Sequence, residues 1–153
     1  MDFKQGLIIV ITGMLGTVGF SLLFKAPKRR ILLNAVGGML TSLVYVLCCM
    51  NFEHEFMQNF FPALVATVYA EVMARVVKAP ATPILACSII PLVPGGKLYY
   101  TTYYFVISEM EMFNSTLTEL LRIASGLAVG IICISVVVHE INRHKFKQII
   151  DVE

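Results

Sequence analysis

Charge is what this chain has least of. Only 14% of its residues are Asp, Glu, Lys or Arg, against about a quarter in an ordinary soluble domain. Hydrophobic residues make up 58%, and mean hydropathy is +0.79. A chain of 153 residues cannot bury that much apolar surface in one small core, because small domains leave a large share of their surface exposed. The excess must face something other than water, which makes this an integral membrane protein. With 12 basic against 10 acidic residues, nothing argues for nucleic acid as a partner. The hydrophobic content excludes disorder.

Other scarcities narrow the class further. The four cysteines, Cys48, Cys49, Cys87 and Cys133, lie in apolar runs with neither metal-ligand spacing nor a secreted-scaffold pattern. They read as small buried hydrophobes. His139 and Glu140 are not followed by the second histidine of an H-E-x-x-H motif. No catalytic triad, phosphate-cradling glycine loop or metal cluster is visible, so neither enzymatic chemistry nor a cofactor is expected. The apolar run from Leu7 to Phe24 is too long for the core of a signal peptide, about 7–15 residues, and no A-x-A site follows it.

Long apolar runs are what the chain does have. About 20 apolar residues span a bilayer, and five candidates stand out, at about 6–24, 31–50, 58–77, 82–105 and 117–141. The connections are short. The expected fold is therefore an all-α integral membrane protein, a single five-helix transmembrane bundle over 1–153. Charge alternates between its two sides. Lys25, Lys28, Arg29 and Arg30 follow the first span, Arg75 and Lys78 the third, and Arg143, Lys145 and Lys147 the fifth. Glu53 and Glu55, then Glu109 and Glu111, mark the opposite side. Basic loops stay cytoplasmic, which puts the N-terminus outside and the C-terminus in the cytoplasm. Four spans would leave one basic cluster on the wrong side.

Local signals add detail. Thr116 and Glu119 have the spacing of a capping box opening the fifth span, a simpler reading of Asn114-Ser115-Thr116 than a glycosylation acceptor. Gly126 and Gly130 form a GxxxG pair, and Thr12, Gly13, Gly16, Thr17 and Gly19 give the first span a small-residue face. Such faces serve packing within the chain or docking to a partner.

The fourth span is interrupted. Pro80 and Pro83 open it, where helix starts tolerate proline. Pro91, Pro94, Gly95 and Gly96 fall near its middle. Each proline removes a donor and crowds the carbonyl four residues back, so the helix is expected to break. Such a break survives in hydrocarbon only inside protein or along a water-filled cavity. A half-helix restarting near Gly96 or Lys97 offers free amides and a partial positive charge to an anion. Lys97 adds a full charge. It reads as a cationic contact for a substrate carboxylate, or as a lysine that snorkels or is neutralised by a carboxylate. Tyr99 lies close enough to the break to join the candidate substrate-binding set of Pro91, Pro94, Gly95, Gly96 and Lys97, whereas Tyr103 and Tyr104 suit an outer aromatic belt. In the third span Glu71 and Arg75 sit four apart on one face. A buried carboxylate favours its neutral form unless a charge compensates, so Glu71 reads as a proton-coupling group or, with Arg75, as a structural ion pair.

Several of these residues carry a family resemblance. Ala70-Glu71 in AEVMAR, Lys78 with Pro80, and Ile90-Pro91-Leu92-Val93-Pro94-Gly95 with Tyr99 behind it resemble the threonine/serine exporter family, specifically its small C-terminal-type module. Chain length and the five apolar runs look like that module as well. The resemblance implies a secondary exporter of small polar metabolites in a bacterial inner membrane, carrying threonine, serine or, in split relatives, the dicarboxylate succinate. It also implies a larger membrane subunit of the same family as partner, in a complex that itself forms homo-oligomers in one reading. Pro91, Pro94, Gly95 and Tyr99 fall on the family motif. Lys97 departs from it and favours a carboxylate-rich substrate. An odd span count fits a split arrangement independently, since a second such module would be inverted relative to the first. The competing reading is a non-transporting accessory or assembly subunit, in which the break only shapes a docking surface.

Overall fold

The computed structural model describes the backbone of residues 3–150, with side chains over 4–141 and at Arg143. Every regular element among the described residues is helical. In chain order they are α1 (Phe3–Leu23), α2 (Lys28–Asn51), α3 (Glu55–Val76), α4 (Ala81–Ser88), a 3₁₀ turn (Ile90–Leu92), α5 (Gly95–Val106) and α6 (Met110–Ile150). The side chains of Lys145 and Lys147, read as part of the basic tail, lie outside the described residues.

Three helices stop in the same way. After α1, α3 and α5 the chain enters the left-handed region at Lys25 (φ 52°), Lys78 (φ 51°) and Ser108 (φ 60°). The next amide then reaches back to a terminal carbonyl: Ala26 to Ser21 (2.9 Å), Ala79 to Ala74 (2.9 Å) and Glu109 to Tyr104 (3.0 Å). These are Schellman-type closures made without glycine. Proline follows the first two, as Pro27 and Pro80, each the N-cap of the next helix.

Packing is inverted relative to a water-soluble domain. The interior is built from small residues: Ala63, Ala66 and Ala70 on α3, Gly37 and Gly38 on α2, and the hydroxyl residues Thr17, Ser21, Thr41, Ser42, Thr67 and Ser88. Large apolar side chains point outward, with Leu23 71% and Val106 73% exposed. Small interiors and apolar exteriors are what helices adopt when lipid, not water, surrounds them. The buried hydroxyls are satisfied inside their own helices, for example Thr67 donating to the Ala63 carbonyl (2.7 Å) and Ser42 to that of Gly38 (2.8 Å).

α3 is the central helix, touching α2, α4 and α6. Close approach on its α6 side depends on the GxxxG pair. A Cβ at Gly126 would stand 2.5 Å from the Phe56 carbonyl oxygen, and one at Gly130 would stand 2.7 Å from that of Phe60. This pair therefore packs within the chain. The α1 face is divided: Gly13 abuts Ser42 and Pro91 and Thr17 fills the space at Gly38, whereas Gly16 and Gly19 face open space.

Among the described residues, Lys4–Leu23, Lys28–Asn51 and Met110–Ile141 are long and apolar enough to cross a membrane. The pair Ala81–Ser88 and Ile90–Val106, bent by 41°, makes a fourth if taken as one span. α3 is absent from this set because Gln58, Asn59 and Glu71 dilute its apolar content. The capping box does not form. α6 starts at Met110, six residues before Thr116, whose hydroxyl donates to the Met112 carbonyl at 2.9 Å from inside the helix. Helical hydrogen bonding continues past the apolar boundary because it needs only backbone, and nothing from 110 to 116 breaks it.

Candidate functional site

The break follows from the two prolines. α4 ends at Ser88, since Pro91 has no amide to continue the ladder and blocks the carbonyl of Cys87. A 3₁₀ turn carries the chain on, with Leu92 donating to Ile89 (2.9 Å) and Val93 to Ile90 (3.2 Å). The Gly95 amide reaches the Val93 carbonyl at 2.8 Å, and α5 restarts there with Pro94 as N-cap and no side-chain cap. The next two amides, of Gly96 and Lys97, have no intrahelical acceptor. Neither glycine has positive φ, and a Cβ at either would meet nothing within 4 Å. Their missing side chains leave this helix start open to close approach.

A cavity of about 570 Å³ opens against that helix start. Pro91, Pro94, Gly95, Gly96 and Lys97 line it, together with Tyr100 and Tyr104 of α5, Tyr45 of α2, Asn59 of α3, and Thr116 and Ile123 of α6. Five of the six residues singled out in the sequence as substrate-binding thus share one cavity. Tyr99 does not line it. It is 66% exposed and stacks on Tyr103, with centroids 6.4 Å apart, while the Tyr100–Tyr104 stack borders the cavity. Tyr104, assigned to the belt from sequence, therefore belongs to the cavity wall.

Lys97 does not stand alone. Its ammonium pairs with the Glu119 carboxylate of α6, the side chains being 43% and 31% exposed. Of the readings open from sequence, neutralisation by a carboxylate is the one present in this state. Glu119 was missed as a site residue, as were Tyr45 and Asn59. A lysine in an apolar stretch does signal a carboxylate nearby, but spacing alone does not choose among Glu109, Glu111 and Glu119. Glu71 and Arg75 lie elsewhere. They line no part of this cavity, and Glu71 is about 18 Å along α3 from Asn59, twelve residues on. Glu71 is half-buried and Arg75 exposed.

Fold and cavity define a helical membrane protein in which a recess carrying Lys97, Asn59 and three tyrosines is set into an apolar exterior. The family model described as "Threonine/Serine exporter, ThrE" matches residues 9–137, and the chain belongs to that family. It is thus a membrane transport protein of the threonine/serine exporter type. No curated protein and no solved structure matches it.

Proposed function

We propose that this chain is the membrane subunit of a split secondary exporter of small polar metabolites, binding the substrate carboxylate at the start of α5 beside Lys97. The observation that carries the reading is the cavity at the break. There an uncapped helix start, two glycines with no neighbour at Cβ, and a lysine held by one carboxylate converge. A helix start with a cation beside it suits an anion, and a substrate carboxylate takes over Lys97 by exchanging with Glu119. Threonine and serine are the family's substrates, and a dicarboxylate such as succinate suits the same cation.

In this reading α4 and α5 are the two halves of one broken span, and α3 is the fifth span. α3 is 22 residues long, about 33 Å, enough for a hydrocarbon core of about 30 Å. Asn59 and Thr67 are buried among its neighbours, and Gln58 and Glu71 are half-buried. Basic loops at Lys25–Arg30 and Lys78 then face the cytoplasm of a bacterial inner membrane. Glu71, alone or with Arg75, is the proton-coupling candidate. A larger family subunit completes the substrate path.

The test is a mild-detergent pull-down of the tagged chain from its native membranes, followed by reconstitution. Efflux of labelled threonine, serine and succinate is then measured. A stoichiometric larger membrane protein and efflux that depends on Lys97 are expected. Recovery of the chain alone as a defined oligomer removes the partner from the proposal. Vesicles that move none of the three remove the transport reading and leave the accessory subunit.

A further inference from the structure

A second cavity, of about 470 Å³, lies at the basic end between the α1–α2 turn and α4. Lys25, Arg30, Asn34, Thr82, Pro83 and Cys87 are among its lining residues. Along α2, Arg30 lies about 22 Å from Tyr45 of the first cavity, fifteen residues away. Two charges and one unsatisfied polar atom set this place apart. Among the described residues, neither Lys25 nor Arg30 has an ion-pair partner. The first turns of α2 and α4 also meet here, both with proline N-caps and no side-chain cap. Helix starts and cations together favour an anion.

Asn34 supplies the second, independent observation. It is 3% exposed. Its Nδ2 donates to Ser21 Oγ at 2.9 Å, and Ser21 spends its only proton on the Thr17 carbonyl at 2.8 Å. Ser21 Oγ is therefore an acceptor, which fixes the amide with Nδ2 toward it. That leaves Asn34 Oδ1 buried with no hydrogen-bond partner among the described residues. A buried acceptor without a donor is costly, and calls for one.

We infer that this cavity is a second small-molecule site that takes a zwitterionic amino acid, its carboxylate on Arg30 and Lys25 and its ammonium on Asn34 Oδ1. The ligand class rests on the exporter reading; the site itself rests on the geometry above. An amino acid carries the anion and the donor a few ångströms apart, whereas a dicarboxylate has no donor for Asn34. The oxygen is closed to solvent in this state, so seating the ammonium requires the cavity wall to yield, and capture is coupled to a local opening. The site sits among the basic residues, the side from which an exporter collects its cargo.

Inside-out membrane vesicles bearing the full chain with its native partners present this end to the medium. Uptake of labelled L-threonine and succinate is measured over graded concentrations, at matched membrane levels. Arg30→Gln and Asn34→Leu should each raise the KM for threonine about tenfold, the worth of one charge-assisted hydrogen bond, with the maximal rate retained. Succinate uptake should ignore Asn34→Leu. An unchanged threonine KM in both variants, while Lys97→Gln still impairs uptake, overturns this site alone and assigns the cavity to water. Absence of uptake by the parent vesicles overturns the exporter reading and this inference together. Should Asn34→Leu fail to reach the membrane, Arg30→Gln, a change at a half-buried cation, decides.

Discussion

The Lys97–Glu119 pair gives the sharpest test of the first cavity. If Lys97 binds a substrate carboxylate, Glu119 competes for it, and removing Glu119 should tighten binding. Removing Lys97 should weaken it. The side chains are 43% and 31% exposed, between the surface pairs worth about 0–1 kcal/mol and buried ones whose rupture costs about 3–5. Taking about 1–2 kcal/mol for the competition, Glu119→Gln should lower KM by about 5–30-fold and Lys97→Gln should raise it by at least as much. The double variant should resemble Lys97→Gln, because with no cation left the carboxylate has nothing to withhold. Uptake kinetics in inside-out vesicles at matched membrane levels read all three. A purely structural pair behaves differently: each single change lowers the membrane level and the neutral double recovers it. Unaltered kinetics in Lys97→Gln would refute the assignment.

Other outcomes follow from the same geometry. Gly126→Ala and Gly130→Ala drive a Cβ against the α3 carbonyls and should cost about 1–3 kcal/mol each, read as lower thermal midpoints in detergent, whereas Gly16→Ala, facing open space in mid-helix, should hold the midpoint or raise it slightly. Gly96→Ala places a methyl in the open cavity, so it should leave membrane levels intact while raising the substrate KM. Ser108→Gly removes a left-handed side chain at the end of α5 and should stabilise the fold by about 0.5–1 kcal/mol, visible as a higher midpoint. Tyr69→Phe loses the 2.6 Å bond to the Leu33 carbonyl and should cost about 1 kcal/mol on the same scale.

How much of this was legible in the sequence depended on what each signal measures. Run length measures what faces lipid, so α1, α2 and α6 stood out while the central place of α3 did not. The inward face of α3, from Asn59 through Ala63, Ala66 and Ala70 to Ala74, is small rather than strongly apolar, and its outward face carries the hydropathy. The break at Pro91 and Pro94 was legible because proline acts locally. The phase of the tyrosines after it was not. Each residue turns a helix by about 100°, so restarting at Gly95 rather than one or two residues later decides whether Tyr99 or Tyr100 faces the cavity. Thr116 misled for the opposite reason: a local cap signal lost to a helix already running from Met110. Glu119 and Asn34 acquire their meaning from residues 22 and 13 positions away, separations that no local pattern encodes.

The two cavities lie at either end of one seam, which must open if substrate passes between them. Between them on α2 lie Gly37, Gly38, Thr41 and Ser42, facing Gly13 and Thr17 of α1, Tyr69 of α3, Ser88 of α4 and Pro91 at the break. Every one of these side chains is small except Tyr69, and the Thr and Ser hydroxyls bond backward into their own helices, leaving the Tyr69 hydroxyl, which donates to the Leu33 carbonyl of α2, as the one that crosses between helices. Between α1 and this stretch of α2 the contact is thus held by shape, while the Tyr69–Leu33 bond ties α2 to α3. A cross-link placed there should act as a lock. A Cβ at Gly13 would stand 3.1 Å from that of Ser42, a few tenths of an ångström short of the roughly 3.5–4.5 Å of a disulfide, so Gly13→Cys with Ser42→Cys needs the two helices to part by about that much. With the four native cysteines replaced by alanine, oxidation of this pair should stop threonine uptake by inside-out vesicles, and reductant should restore it. Wild-type uptake through the fully cross-linked chain would mean that substrate passes elsewhere, between this chain and its partner, and that the seam is only packing.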